Sequence, residues 1–264
     1  MTLFNTLKFG SDPELFVRHK KSGKIVSVHN MIPGTKEKPY KVPKGAIQVD
    51  GVAAEFNIDP ASNLDEWMEN HATVIKELEH YMGTTHELVY EPIAFFDEEY
   101  FKTLPPETQA LGCTPDYNAW TGKQNPSPNA HQLSGDEGIM RTASGHIHIG
   151  WTSERSVDDE DHRRRCFDLV KLSDRRLTYP LSTAHPERAL KDMDAKRRSL
   201  YGKAGACRVK PYGVEIRAPS NMWLTRDFFR KAAFSFSRSV AVAYFMGQTL
   251  SKQEEREIFE RLTG

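Results

Sequence analysis

The chain has 264 residues, and its 36 Lys and Arg side chains are balanced by 36 Asp and Glu, so its formal net charge is zero. That balance leaves no basic excess for a nucleic-acid partner, and a composition of 38% hydrophobic and 27% charged residues is that of a soluble globular protein. Cys113, Cys166 and Cys207 form no C-x-x-C pair and indicate reduced thiols. We therefore expect a single domain over residues 1–264, cytoplasmic and without a membrane span.

The first sixty residues predict strands. ELFVR at 14–18 leads through KKSGK into IVSV, which is the pattern of a hairpin. Residues 31–45 are rich in Pro, Gly and Lys and predict a loop. The runs AIQVD and AAEFNI follow, separated by the turn-forming pair Asp50-Gly51.

A helix is predicted next, because apolar residues recur at helical spacing. This stripe consists of Leu64, Trp67, Met68, His71, Ile75, Leu78 and Met82. Ser62 or Asn63 can cap the start of the helix, and Gly83 is placed to end it. We interpret His71, which lies on the stripe, as a packed core histidine and not as a ligand.

The rest of the chain alternates strands, loops and helices. ELVYEPIAFF at 87–96 predicts strand, and residues 105–142 predict a long loop suited to a substrate or nucleotide. GHIHIG at 145–150 predicts a strand, followed by a helix that ends near Leu177.

Toward its end the chain predicts a further strand and two helices. The strand falls in YGVEIRAP, one helix runs from about Thr225 to Phe245, and a short one starts at Ser251 with Glu254 as its capping-box partner. Strands at both ends with helices between them indicate an α+β fold with a largely antiparallel sheet.

Four of the predicted strands alternate apolar residues with acidic or basic ones. Successive side chains of a strand point to opposite faces, so each strand would turn its polar set to one side. These sets are Asp12 and Glu14, Glu55 and Asn57, His146 and His148, and Glu215 and Arg217. If the polar sides share one face of one sheet, that face carries several carboxylates, two imidazoles and a guanidinium.

Carboxylates this close repel one another unless divalent cations lie between them. Oxygen-rich sites suit Mg²⁺ or Mn²⁺, and Arg217 beside such a site suits nucleotide phosphates. Each residue alone also has a simpler explanation, since an isolated strand Glu is commonly solvated and an H-x-H strand can be a solvated face or a packed pair. The coincidence of four such strands predicts a shared metal and phosphate site.

With these residues in view, the chain resembles the carboxylate–amine ligases of the glutamine synthetase and glutamate–cysteine ligase superfamily, and more narrowly the phage-type amidoligases. The matching stretches are FGSDPELF, VDGVAAEFNIDPA, LGCTPDYNAW, RTASGHIHIG and YGKAGACRVKPYGVEIRAPSNMWL, within residues 9–224. The resemblance implies a glutamine synthetase-like antiparallel sheet curved into a half-barrel, with helices on its convex side. Its concave face would hold ATP and Mg²⁺, with Mn²⁺ as an alternative.

The resemblance also implies roles for residues. The metal ligands would be Glu14, Asp12, Glu55, His148, His146 and Glu215, with Glu14 preferred to Asp12 and His148 preferred to His146. Glu55, Arg217, Arg208, Arg141 and Asp50 would be the catalytic set, in which the arginines stabilise the transferring phosphoryl group. Asp50 or Asp116 would be the base that deprotonates the amine.

Nucleotide binding would rest on Arg217, with Lys203, Arg198 and Asn118 as weaker candidates. Lys203 lies among glycines, Arg198 lies close to that motif, and Asn118 lies in the long predicted loop. Each of the three also has a simpler explanation as a surface or packing residue. No G-x-x-x-x-G-K-[ST] motif is present, which agrees with a fold that holds ATP through metals.

The implied activity is ATP-dependent joining of a carboxyl group to an amine through an acyl phosphate. The expected partners are ATP, an amine and a carboxylate substrate, each a small molecule or peptide, in the host cytoplasm if the protein is phage-encoded. The identity of both substrates and any homo-oligomer stay open. Three alternatives remain: a phosphotransferase of the same fold, a zinc-dependent hydrolase using the H-x-H strand, and a nonenzymatic nucleotide- or metal-binding protein.

Overall fold

The computed structural model describes residues 6–110, 116–126, 133–135 and 138–263. The strands are β1 (Lys8–His19), β2 (Ile25–Val26), β3 (Tyr40–Val42), β4 (Gly45–Asp50), β5 (Ala53–Ile58), β6 (His86–Val89), β7 (Ile93–Phe96), β8 (Tyr117–Asn118), β9 (Ser134–Gly135), β10 (Gly138–Thr142), β11 (Gly145–Gly150), β12 (Ala206–Lys210) and β13 (Gly213–Ile216). The helices are α1 (Leu64–Met82), α2 (Glu98–Lys102), α3 (Pro106–Gln109), α4 (Glu160–Ser173), α5 (Tyr179–Ala184), α6 (Arg188–Leu200), α7 (Asp227–Phe245) and α8 (Lys252–Thr263).

Within the described residues, a 10-stranded antiparallel sheet organises the molecule, in the order β3-β4-β5-β1-β11-β13-β12-β8 with β2 and β6 also paired to β1. A smaller sheet has the order β7-β10-β9. The α+β class and the large antiparallel sheet are thus confirmed, as is the hairpin of β1 and β2, in which Val17 pairs with Val26. Among the described residues, no helix combines the length and apolarity needed to cross a membrane.

The two faces of the large sheet differ in chemistry because its strands alternate. On one face the apolar residues of β1, β5, β11 and β13 are buried beneath α1, α4 and α7. Phe9 of β1, for example, lies edge-on to Phe234 of α7 with the ring centroids 5.2 Å apart. Full burial of each such side chain contributes about 2 kcal/mol. The opposite face is left to the acidic and basic residues.

Helix α1 follows its sequence pattern closely. Asn63 caps it by accepting a hydrogen bond of 2.9 Å from the Glu66 amide, and Gly83 ends it with a φ of 57°. His71 is a core residue as predicted: it is fully buried, and its Nδ1 and Nε2 lie 2.7 Å from the Trp67 carbonyl and 2.8 Å from Ser11 Oγ. Burial lowers the pKa of His71 to about 3, so the ring is neutral.

The structure departs from the sequence expectations in the middle of the chain. The run 87–96 forms two strands in different sheets, since Pro92 lies between β6 and β7 and has no N–H to donate. The region 105–142, expected as a loop, contains α3, β8, β9 and β10 in its described part, and β3 lies within the loop expected at 31–45. The helix expected to end near Leu177 continues through a π-helical turn, Asp174–Thr178, into α5.

Candidate metal and phosphate site

Strand register brings the polar sets of the four strands onto one face of the large sheet. Asp12 lies opposite His146 in the β1–β11 pair, and Glu14 lies opposite Glu55 in the β1–β5 pair. His148 in turn lies opposite Glu215. Because the register is fixed by continuous antiparallel pairing, these side chains meet near the centre of the sheet, although they come from distant parts of the sequence.

The first group on this face consists of Glu14, Asp50 and Glu55, each of which offers a carboxylate oxygen within 4.8 Å of the other two. Asp50 pairs with Lys36 at 3.4 Å, while Glu14 accepts a hydrogen bond of 2.8 Å from the Ser144 amide. Burial and the neighbouring Asp50 raise the pKa of Glu14 to about 7. Burial, with the charges of the adjacent acids, raises the pKa of Glu55 well above its ordinary value. The group therefore favours an added cation.

The second group consists of Asp12, His148 and Glu215, whose ligand atoms also lie within 4.8 Å of one another. Burial alone would raise the pKa of Asp12, but His148 and His146 outweigh it and hold that pKa well below its ordinary value. Glu215 is fully buried, and its carboxylate is surrounded by basic side chains. These are Lys210 at 2.8 Å, Arg208 at 3.4 Å, His146 at 3.6 Å and Arg217 in direct contact.

The two histidines of β11 differ in how many of their ring nitrogens have a hydrogen-bond partner. Both ring nitrogens of His148 are engaged, Nε2 with Asp12 at 2.8 Å and Nδ1 with the Tyr212 hydroxyl at 2.5 Å. His146 Nδ1 lies 3.3 Å from Asp12, whereas its Nε2 is buried without a hydrogen-bond partner in the described part of the chain. Burial, with the charge of Arg217, lowers the pKa of His146 to about 4, so the ring is neutral. Both histidines therefore turn a ring nitrogen toward Asp12, and the contact from His148 Nε2, at 2.8 Å, is the shorter one.

Arg217 is anchored at all three guanidinium nitrogens. Nε donates to Asp116 Oδ2 at 3.2 Å, Nη1 donates to Glu215, and Nη2 donates to the Tyr201 hydroxyl. Asp116 immediately precedes β8 and Tyr201 immediately follows α6, and neither was predicted from the sequence as a partner of Arg217. Tyr201 belongs to the YGKAG motif, but no periodic pattern marks a single loop tyrosine.

The other predicted residues divide into two groups. Arg141 and Arg208 lie beside the acids, and Arg141 donates hydrogen bonds to the Gln109 and Met140 carbonyls. Three predicted nucleotide ligands, Lys203, Arg198 and Asn118, do not line the cavities at this face. Lys203 is exposed, Arg198 pairs with Asp194 at 2.7 Å, and Asn118 binds the backbone of its own loop and the Ala204 carbonyl.

Two cavities open onto this face and share Asp12 and Glu55 as a common wall. The smaller, of about 110 Å³, is lined by both acids and bases, among them Glu14, Asp50, Lys36, Arg141, Arg208 and Arg217. The larger, of about 540 Å³, is lined by Gly10, Asn57, His148, Trp151, Tyr212 and Lys41, among others. One compartment is therefore compact and highly charged, while the other is roomier and carries aromatic rings.

Comparison with known proteins supports the fold alone. The chain matches no protein-family model and no curated protein sequence. It is similar in structure to a bifunctional glutathione synthetase from Pasteurella multocida, with a TM-score of 0.52 and 13% identity over 99% of this chain and 41% of that chain. The chain therefore spans less than half the length of that synthetase, and at this identity the likeness is one of fold.

Proposed function

We propose that this protein is an ATP- and Mg²⁺-dependent carboxylate–amine ligase, formed as one domain over residues 1–264 around a sheet curved as in glutamine synthetase. The observation that carries the proposal is the pair of acidic groups on one sheet face, directly beside the anchored Arg217. The fold shared with a glutathione synthetase supports a ligase in general. The resemblance to phage-type amidoligases supports the narrower class.

The donor sets fit divalent cations. Three crowded carboxylates, two of which have raised pKa values, are the oxygen-rich environment that Mg²⁺ or Mn²⁺ stabilises. Glu14, Asp50 and Glu55 would hold one ion, and Asp12, Glu215 and a histidine would hold a second. His148 belongs to that group, but we favour His146, because its Nδ1 faces both acids, at 3.3 Å from Asp12 and 3.6 Å from Glu215, while both nitrogens of His148 are engaged. When bound, Mg²⁺ supplies positive charge that neutralises the phosphates in phosphoryl transfer.

The shapes of the two cavities suggest how ATP would lie. The larger cavity has room for a nucleoside, with the rings of Trp151 and Tyr212 on its wall. The triphosphate would then extend past Asp12 and Glu55 toward the charged compartment. There Arg217 and Arg208, both held by Glu215, would face the transferring phosphoryl group.

The chemistry follows from this arrangement. A carboxylate is a poor electrophile, so its oxygen would first attack the γ-phosphorus of ATP, releasing ADP and forming an acyl phosphate. The amine would then attack the acyl carbon and expel inorganic phosphate. The proton lost by the amine requires a nearby carboxylate, and Asp50 lies on the wall of the compact cavity. Asp116 is less available for this role because Arg217 and Asn125 already engage it.

One alternative is weakened by the geometry. A zinc hydrolase built on H-x-H needs one nitrogen of each imidazole to bind the same metal ion. In this structure both ring nitrogens of His148 are hydrogen-bonded, to Asp12 and to Tyr212. A phosphotransferase would use the same phosphoryl transfer but would release a phosphorylated product. Trapping with hydroxylamine separates the two enzymes, because an acyl phosphate gives a hydroxamate.

The test is phosphate release from ATP and Mg²⁺ in the presence of pooled carboxylates, amines and short peptides. Release should require both substrate classes and fall at least about 100-fold in Glu55→Gln and in Arg217→Ala. Lys203→Ala, which changes an exposed lysine outside both cavities, serves as the matched control and should retain activity. A folded wild-type protein that fails to bind ATP would refute the proposal.

A further inference from the structure

Asp174 is a buried carboxylate that the proposed chemistry does not use. It is the first residue of the π-helical turn between α4 and α5, and its exposed fraction is 0%. No cationic side chain pairs with it among the residues that the structure describes. Burying a carboxylate without a cation beside it costs free energy of folding, so we looked to its hydrogen bonds for what stabilises it.

Those contacts join two loops. One oxygen of Asp174, Oδ2, accepts a hydrogen bond of 2.7 Å from Trp120 Nε1 in the loop after β8. The same oxygen accepts a second hydrogen bond, also of 2.7 Å, from the Gly205 amide in the loop before β12. The π-helical turn thus presents one acceptor to both loops at once.

The two loops also fit closely against each other. Ala119 donates its amide to the Gly205 carbonyl at 2.9 Å, and Asn118 Nδ2 donates to the Ala204 carbonyl at 3.0 Å. Gly205 has a φ of +78°, and a Cβ there would come within 2.5 Å of the Trp120 ring. Only glycine fits this contact, so the loops pack in one arrangement.

A residue that precedes each loop then anchors Arg217. Asp116 immediately precedes β8, the two-residue strand that leads into the Trp120 loop, and it accepts from Arg217 Nε at 3.2 Å. Tyr201, which precedes the second loop, accepts from Arg217 Nη2 through its hydroxyl. The direction of the guanidinium therefore depends on how the two loops are held together.

We propose that Asp174 is a positioning residue that fixes the orientation of Arg217 by joining these two loops. It does not line either of the two cavities, and within the part of the chain that the structure describes it reaches the two loops through Trp120 and Gly205. The consequence for catalysis rests on the proposed function, because it assumes that Arg217 faces the transferring phosphoryl group. The claim that Asp174 orders the two loops does not depend on that assumption.

A matched pair of variants tests whether Asp174 orders the two loops. Asp174→Ala removes the acceptor, whereas Asp174→Asn keeps an amide oxygen that can accept from both loops. Hydrogen exchange, measured with mass spectrometry, should be faster by about tenfold or more at Gly205 and around Trp120 in the alanine variant, and close to wild type in the asparagine variant. Trp120→Phe removes one donor but keeps an aromatic ring, and should give a smaller change in the same direction.

Exchange that is unchanged in Asp174→Ala would overturn the proposal, whatever the enzyme does. In the phosphate-release assay, Asp174→Ala should lower kcat by roughly 10- to 100-fold with little change in the KM for ATP, and Asp174→Asn should restore most of the loss. Equal losses in both variants would overturn the positioning role. If the wild type released no phosphate at all, the proposed ligase activity would fail, but the exchange result would still decide what Asp174 does.

Discussion

At the scale of single residues, neighbours decide roles that residue type leaves open. His146 and His148 are two apart on one strand and face the same way, and the sequence pattern treats them alike. The structure separates them through Tyr212, which lies 64 residues beyond His148 and occupies its Nδ1. A residue so distant in sequence is not part of any local pattern, so the different surroundings of the two histidines could not be predicted from the sequence, and the preference for His148 stays a prediction.

The histidine assignment can be tested with manganese binding. His146→Gln should lower Mn²⁺ affinity more than His148→Gln, because the first removes a ligand and the second removes a residue that orients Asp12. Tyr212→Phe should resemble a weak form of His148→Gln. Isothermal titration of the three variants gives the order of affinities. If His148→Gln instead had the lowest Mn²⁺ affinity, His148 would be the metal ligand.

Asp50 can be tested in the same way, since it is a candidate both for metal binding and for the base. Asp50 is the third carboxylate of its group, so Asp50→Asn should weaken Mn²⁺ binding by about tenfold or more. Glu55→Gln should weaken it to a similar degree. Asp59→Asn, an exposed acid at the rim of the larger cavity, is the control. Unchanged affinity with lost amide formation would assign Asp50 to proton removal alone.

At the scale of elements, regular patterns are predictive and irregular ones are not. Helix α1 could be delimited from its apolar stripe and caps, and β11 from its alternation. Helix α6 was not predicted, because its buried residues include Asp194 and Arg197 and so give no apolar stripe. Arg197 is fully buried and donates to the Ala218, Arg217 and Pro219 carbonyls, a role that depends entirely on tertiary contact.

The glycine at the start of β11 gives a prediction about packing. A Cβ on Gly145 would lie 2.4 Å from the Ser220 carbonyl oxygen and 2.5 Å from Trp223 Nε1. Gly145→Ala should therefore reduce the free energy of unfolding by about 1–3 kcal/mol. Gly10→Ala is the control, since its nearest contact would be His148 Cβ at an ordinary 3.6 Å. Urea unfolding midpoints measure both, and equal midpoints would contradict the clash.

At the scale of the whole molecule, the class of fold and the composition of the polar face could be predicted, but the way that face is enclosed could not. The polar strands were identified by alternation, and their meeting depends on register between β1, β5, β11 and β13. The second sheet, β7-β10-β9, contributes Arg141 to the compact cavity. One of its strands follows Pro92, and the other two lie in the region that was expected to be a loop. No periodic pattern in the sequence therefore predicts this second sheet.

The stability of the molecule should depend on pH through Asp174. Burial raises the pKa of Asp174 from its ordinary 3.8 to about 7 in the folded protein. The folded state thus holds the proton more tightly than the unfolded state, and the stabilisation is complete below about pH 4 and disappears as the pH rises through 7. The full difference amounts to about 4 kcal/mol at most.

Asp174→Asn removes this titration and leaves the other acids in place. The difference in unfolding free energy between variant and wild type should therefore change between pH 5 and pH 8 in favour of the variant. Chemical denaturation at several pH values supplies the two curves. Parallel curves would mean that Asp174 keeps an ordinary pKa.

The position of β1 has a consequence for synthesis on the ribosome. This strand is made well before β11, and Glu14 accepts its hydrogen bond from Ser144, which is 130 residues later. At 5–20 residues per second, the strand waits roughly 7 to 26 s for that partner. During this time the nascent chain exposes a long strand edge with apolar residues on one side, which is a hazard for association with other chains. We therefore expect a chaperone that shields nascent chains to raise the yield of folded protein.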